Sequence, residues 1–257
     1  MLLELLVGAY AAAVGLIVGS YLNVVIHRLP RGISTVLPRS RCPACDAPIL
    51  ARDNLPVVSW LLLGGRCRAC GAPISRRYPI VEATTALLFA GCVARFGVRP
   101  EAAVAALFCA LLVALAAIDL EHLYLPDRIT LPGIAAGIAV QPWIDWVGWR
   151  GALFGAALGG GLLLALYGLW YLLRQEEGLG LGDVKMLAMI GAFLGWRGVV
   201  VTLFCGSLAG AVAGVLLIRA GRGHTKTKLP FGTFLALGGL VALFAGERLL
   251  GAYLGLL

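Results

Sequence analysis

Charge is scarce in this chain. Only 13% of its 257 residues are Asp, Glu, Lys or Arg, against about 25% in an average soluble domain. With 60% of the residues hydrophobic, an ordinary water-soluble domain is excluded. The N-terminus lacks a basic n-region, since Glu4 is the only charge before His27 and Arg28; it reads as a retained transmembrane helix rather than a cleaved signal peptide. No internal repeat of the kind many transporters carry is visible. Acidic residues are fewer than basic ones, 13 against 21. In a soluble chain that excess would suggest nucleic acid, but in a membrane chain its placement decides, and nucleic acid is not expected as a partner.

What is present is a succession of apolar runs, at roughly 3–26, 80–97, 102–118, 129–144, 151–173, 184–196, 198–218 and 230–255. They predict an all-α polytopic membrane protein of about eight transmembrane helices, with the lipid bilayer as its solvent. The runs starting at 129 and 184 are short for a bilayer core of about 30 Å, so the count is seven or eight. If the chain starts outside, the inner segments hold nine arginines between Arg28 and Arg77, then Arg128, Arg174, Lys185, Arg219, Arg222, Lys226 and Lys228. The outer segments hold Arg95, Arg99, Arg150, Arg197 and Arg248. This bias places the long first loop in the cytoplasm and both termini outside. Glycine and alanine crowd 151–161 and 206–214; in lipid such stretches let helix backbones approach closely, so tight packing is their expected role.

The only sizeable extramembrane segment, 27–79, carries Cys42-Pro43-Ala44-Cys45 and Cys67-Arg68-Ala69-Cys70, with 21 residues between the pairs. Each pair is followed by a turn residue and then Ala-Pro (Ala47-Pro48 and Ala72-Pro73), so the halves look like paired zinc-ribbon hairpins. Two CxxC pairs at this spacing predict a four-thiolate Zn²⁺ site, structural because no coordination position is left open. The competing reading, two disulfides, fits poorly with a reducing compartment. Cys92, Cys109 and Cys205 lie inside apolar runs and read as buried structural cysteines.

Two acidic residues sit where apolar runs end. Asp119 follows Ala102–Ile118, and Asp183 closes the glycine-rich turn Glu177-Gly178-Leu179-Gly180-Leu181-Gly182-Asp183-Val184-Lys185. A carboxylate taken into the bilayer costs about 2.5–3.5 kcal/mol, so a chain seldom keeps one without a use or a partner. The charge map sets both at the cytoplasmic face, where a pair of carboxyls sharing a proton would suit aspartate-catalysed hydrolysis. Gly180 and Gly182 would let the backbone turn tightly beside Asp183, and Lys185 would bias the local field. The same two aspartates also read as helix caps or interface residues, and residue chemistry alone leaves both readings open. Asp127, after Pro126, reads as a helix N-cap, and Glu121 and His122 as interfacial.

Several blocks in order carry a resemblance to a known family. They are Gly19-Ser20-Tyr21-Leu22-Asn23 through Pro30, the cysteine pairs, Asn54-Leu55-Pro56-Val57-Val58-Ser59-Trp60, Arg77-Tyr78-Pro79-Ile80-Val81-Glu82, Ile118-Asp119 with Leu125-Pro126-Asp127, Gly180 to Lys185, and Pro230-Phe231-Gly232-Thr233-Phe234-Leu235-Ala236. Nearly end to end, the chain resembles the prepilin peptidases, or type IV leader peptidases, a family of membrane aspartic proteases. The resemblance implies that Asp119 and Asp183 are the catalytic pair of a bacterial inner-membrane enzyme. It implies that the substrates are type IV prepilins or type II secretion pseudopilins, cut on the cytoplasmic side between a short basic leader ending in glycine and an apolar helix.

Family members with the cysteine loop are typically also N-methyltransferases that use S-adenosylmethionine. Its site here is not evident, because no glycine-rich dinucleotide fingerprint follows a strand; Asn23 and Glu82 are the candidate cofactor-binding residues. The expected organisation is 1–26 as first transmembrane helix, 27–79 as cytoplasmic zinc loop and methyltransferase part, and 80–257 as peptidase core. One departure stands out: the family often reads PFGPFLA where this chain has Thr233, a change expected to loosen the start of the last helix without touching the aspartates. An alternative from another class is a proton-coupled transporter with a cytoplasmic zinc-binding docking loop, using Asp119 and Asp183 as relay carboxylates.

Overall fold

A computed structural model describes residues 2–175, 180–221 and 229–255. The start of the glycine-rich turn, 176–179, and the polar linker 222–228 lie outside the described residues. The described residues form eight helices: α1 Leu2–Arg28, α2 Val58–Leu62, α3 Arg77–Phe96, α4 Pro100–His122, α5 Asp127–Ala139, α6 Gly148–Arg174, α7 Leu181–Arg219 and α8 Phe231–Leu254. The described residues contain no strand, only two isolated bridges, Arg41 with Pro48 and Arg66 with Pro73. Six helices are long and apolar enough to cross a membrane: α1, α3, α4, α6, α7 and α8.

The difference from eight spans has a local cause. α5 is only 13 residues long, against about 20 needed to cross. The runs at 184–196 and 198–218 form one element, α7, broken at Gly195, which takes φ 67° and ψ −172°. The break is sharp. Val199 Cγ2 lies 2.9 Å from where a Cβ on Gly191 would sit, whereas a straight helix rises about 12 Å over eight residues.

The chain forms two compact units, Met1–Ala114 and Leu115–Leu257. In the first, α1 lies along α3, and the α3 backbone comes so close that a Cβ on Gly19 would meet Glu82 Cα at 2.7 Å. Between these helices the cysteine loop is built from two matching knuckles. Cys42 N–H donates to Ala47 O at 3.0 Å and Cys67 N–H to Ala72 O at 2.8 Å. The residue after each pair, Asp46 (φ 56°) or Gly71 (φ 71°), takes the left-handed conformation that closes the turn. Arg68 then ties the second knuckle to the 51–53 turn by donating Nη2 to Asp53 Oδ1 at 2.7 Å, which holds the Asp53 carboxyl below its ordinary range. Cys92 of α3 and Cys109 of α4 are buried with their Sγ atoms 3.8 Å apart. Cys205, expected to be buried, is half-buried.

In the second unit the two arms of α7 pack on different neighbours. A Cβ on Gly155 of α6 or on Gly191 of α7 would run into the other's carbonyl oxygen. On the far side of the break, a Cβ on Gly206 would lie 2.9 Å from Phe234 O of α8. The small-residue stretches at 151–161 and 206–214 thus contribute close backbone packing, the glue available in lipid. Buried Gln141 fastens the break, donating Nε2 to Gly137 O (2.9 Å) and to Ala192 O (3.1 Å), a carbonyl near the end of the first α7 arm.

Candidate active site

Asp119 stands in the last turn of α4, the negative end of the helix dipole and an unfavourable place for a carboxylate. The first turn of α8 offsets this. There the Thr233 N–H, which also reaches the carbonyl of the N-cap Pro230 at 3.2 Å, donates to Asp119 Oδ2 at 2.8 Å. The backbone N–H of Gly232 also bonds this carboxyl. The Thr233 hydroxyl lies 3.3 Å from the same oxygen and 3.1 Å from Ala116 O. Asp119 is 5% exposed. Thr233 therefore does touch an aspartate, contrary to the expectation from sequence: 114 residues separate the two, and no local pattern announces the contact.

Asp183 occupies the third position of α7, whose N-cap is Gly180. Its N–H donates to Gly180 O at 3.0 Å, and its carboxyl reaches back to the Gly180 backbone N–H, the N3 half of a capping box, since glycine has no side chain to return the bond. Here the positive end of a helix dipole favours the carboxylate. The side chain is 8% exposed, and the Asp119 charge acts on it directly. Gly180 and Gly182 both serve this turn. A Cβ on Gly180 would lie 3.1 Å from Asp183 Oδ2, and one on Gly182 would lie 2.8 Å from Leu125 Cβ.

Asp119 and Asp183 line one pocket of about 340 Å³, whose wall also includes Leu123, Tyr124, Leu125 and Leu181. Asp127 and Lys185 stand in the same wall and are paired, with Lys185 Nζ 2.7 Å from Asp127 Oδ1 and 2.8 Å from Oδ2. Asp127 is not the N-cap of α5: Pro126 holds that place, Asp127 is the first helical residue, and its side chain spends itself on Lys185. The pair joins the first turns of α5 and α7.

In the first unit, Cys42, Cys45, Cys67 and Cys70 bring their Sγ atoms within 4.8 Å of one another, with Cys42 Sγ 3.9 Å from Cys70 Sγ. A tetrahedron of thiolates about 2.3 Å from a zinc ion has edges near 3.8 Å, so the four sulfurs fit such an ion. N–H groups of Cys70 and then Ala69 bring the Cys67 thiol down to about 7. Cys45 is pushed up to about 12, because the lowering bond from the Ala47 backbone is outweighed by its thiol neighbours, Cys70 foremost.

Asn23 and Glu82 are also in this unit, both buried at the α1–α3 contact. Asn23 Nδ2 donates to Gly19 O (3.3 Å) and Tyr78 O (3.1 Å), while Asn23 Oδ1 has no partner. Glu82 Oε2 accepts the Val57 N–H at 2.7 Å, and the Ser20 side chain bonds the same carboxyl. A buried acceptor without a partner, as Asn23 Oδ1 is, fits a ligand that brings a hydrogen-bond donor.

Residues 13–96 match the bacterial peptidase A24 N-terminal domain, and residues 106–215 match the type IV leader peptidase family. Among curated proteins, a prepilin leader peptidase/N-methyltransferase of Stutzerimonas stutzeri is 38% identical over 267 residues, covering 95% of this chain and 92% of its own length. One of Myxococcus xanthus is 45% identical over 224 residues, 87% of this chain and 67% of its own. A third, of Pseudomonas aeruginosa, is 38% identical over 263 residues, 93% and 91% of the two chains. No solved structure matches the chain. These likenesses give the transporter alternative no support.

Proposed function

Because this chain belongs to the type IV leader peptidase family, we propose that it removes the leader peptide from prepilins or pseudopilins with Asp119 and Asp183 as its catalytic pair, and then N-methylates the new N-terminus. The observation that carries the peptidase reading is the shared pocket. Two buried carboxyls from distant parts of the sequence line one cavity. Two carboxyls that share a pocket and a proton do not both ionise easily, which provides a base and an acid from one residue type. The ionised carboxyl draws a proton from water as the water oxygen bonds the scissile carbonyl carbon. The other gives its proton to the carbonyl oxygen. Collapse of the tetrahedral intermediate then breaks the C–N bond, with a proton passing to the departing amine.

The nine arginines between Arg28 and Arg77 support a cytoplasmic loop 27–79 in the bacterial inner membrane, and crossings by α3 and then α4 bring the chain back to that face at Asp119, whose pocket Asp183 shares. A prepilin carrying a basic leader before an apolar helix would wait in the bilayer with its cleavage site at that face. Both aspartates stand within a turn of a helix end, Asp119 of α4 and Asp183 of α7, which suits a substrate bond at the membrane edge rather than at its midplane.

Methyl transfer is assigned to the unit holding the loop 27–79. The four cysteines would hold a structural zinc, and Asn23 and Glu82 would bind S-adenosylmethionine, which supplies the methyl group when bound. The decisive experiment is cleavage of a prepilin-like peptide by Asp119→Asn and Asp183→Asn variants of the purified chain. Both should be inactive; full activity in either would end the dyad. Mass spectrometry of the mature product should show one added methyl group only when S-adenosylmethionine is present.

A further inference from the structure

Asp119 Oδ2 takes two donors from one residue, next to the Gly232 N–H that bonds the same carboxyl. Thr233 presents its backbone N–H at 2.8 Å and its hydroxyl at 3.3 Å to this one oxygen. A carboxylate oxygen offers two lone pairs in the plane of the carboxyl group, and two donors from one residue engage both. The residue is itself anchored, since the same hydroxyl lies 3.1 Å from Ala116 O, in the α4 turn that carries Asp119. A threonine χ1 is stiff, so the hydroxyl stays between these two acceptors instead of wandering into the pocket. Gly232, next to it, leaves room for the approach: a Cβ there would lie 3.0 Å from Asp119 Oδ2.

We infer that Thr233 is a positioning residue of the proposed dyad: it takes up Asp119 Oδ2 with two hydrogen bonds, fixes the carboxyl plane, and leaves Oδ1 as the oxygen that exchanges a proton with the attacking water. The inference rests on the peptidase reading above. The hydroxyl carries one proton and faces two acceptors, so it serves either state of Asp119. When the carboxyl is ionised, the proton points to Oδ2; when Oδ1 has taken a proton, Oδ2 is the weaker acceptor and the hydroxyl turns to Ala116 O, while the Thr233 N–H stays on Oδ2. The carboxyl thereby keeps its orientation through both halves of the reaction, in which it first takes a proton and later returns it. A proline, the residue that the family pattern carries here, has neither an N–H nor a hydroxyl.

The test uses the full chain in detergent, with a synthetic peptide of basic leader, glycine, phenylalanine and apolar segment. Wild type, Asp119→Asn, Thr233→Val and Thr233→Ser are compared for kcat, KM and melting midpoint. Valine is nearly isosteric and keeps the N–H, and serine keeps both donors. The expected result is that Thr233→Val loses about tenfold or more in kcat with KM within about twofold, at an unchanged midpoint, and that Thr233→Ser stays within about threefold of wild type. Unchanged kcat in Thr233→Val would overturn the inference, as would a loss confined to KM, a midpoint that falls along with activity, or a serine variant as poor as valine. A wild type that does not cleave, or an active Asp119→Asn, would instead sink the peptidase reading on which it stands.

Discussion

Val57, a β-branched residue at φ 61°, donates its backbone N–H to the buried carboxylate of Glu82 at 2.7 Å. Left-handed backbone at such a residue costs on the order of 1–3 kcal/mol and persists only when its surroundings enforce it. A hydrogen bond to a charged acceptor is worth about 1.5–3 kcal/mol, enough to hold it. The bond runs from the Asn54–Trp60 block to α3, so the carboxylate anchors the cysteine loop to the helix contact in which Asn23 is also buried.

Replacing Glu82 with leucine should release this anchor. Protease cuts in 50–60 should appear sooner than in wild type, and methylation of the mature product should fall by about tenfold or more, one charged hydrogen bond's worth. Peptide cleavage should stay within about twofold, since the proposed dyad lies in the other unit. Glu82→Gln, which keeps an acceptor, should fall between the two. Equal loss of cleavage and methylation would show that Glu82 supports the whole chain and not the proposed methyltransferase part.

How far the sequence foretold these arrangements differs from site to site. The cysteine knuckles were legible because every contact in them is local: the pair, the turn residue and the Ala-Pro step repeat within eight residues, and Asp46 and Gly71 take the same left-handed turn. Asp119 and Asp183 were legible because a carboxylate at the edge of an apolar run is conspicuous. What surrounds them was not. Thr233 reaches Asp119 across 114 residues and Lys185 reaches Asp127 across 58, and a hydroxyl or an amine carries no sequence mark of the acceptor it will find. The division of 184–196 from 198–218 was legible because Arg197 interrupts the apolar residues, whereas the turn at Gly195 was not, since only the backbone angle shows it.

The contact of Gly155 with Gly191 yields a prediction on stability. Each helix presents backbone where a side chain would otherwise stand, and a Cβ on either residue would strike the partner's carbonyl oxygen. Rotamer change cannot relieve a clash with backbone, so α6 and the first arm of α7 must move apart. Gly191→Val should cost about 1–3 kcal/mol or more, at the upper end for overpacked sites. Because that arm carries Asp183, cleavage should fall together with the melting midpoint. Gly161→Val is the control: a Cβ there meets nothing within 4 Å, and both readings should hold near wild type. Equal tolerance of the two substitutions would show that the two backbones are not in contact.

The cysteine loop permits a test of metal dependence. Among its described hydrophobic residues only Cys42 is buried, so burial of apolar surface contributes little to holding the loop's shape. Four thiols within 4.8 Å of one another would gain far more from a shared cation than from their own hydrogen bonds, and site formation would then be part of loop folding. Protein purified without chelator should carry about one zinc per chain, as a four-thiolate site requires. Cys42→Ser combined with Cys67→Ser removes one ligand from each knuckle and should abolish the bound zinc. It should also speed proteolysis between residues 40 and 75 and lower methylation more than cleavage. The metal measurement decides first: a chelator-free preparation without zinc would leave the four cysteines as a thiol cluster only. Unchanged zinc content in the double variant would place the ion elsewhere.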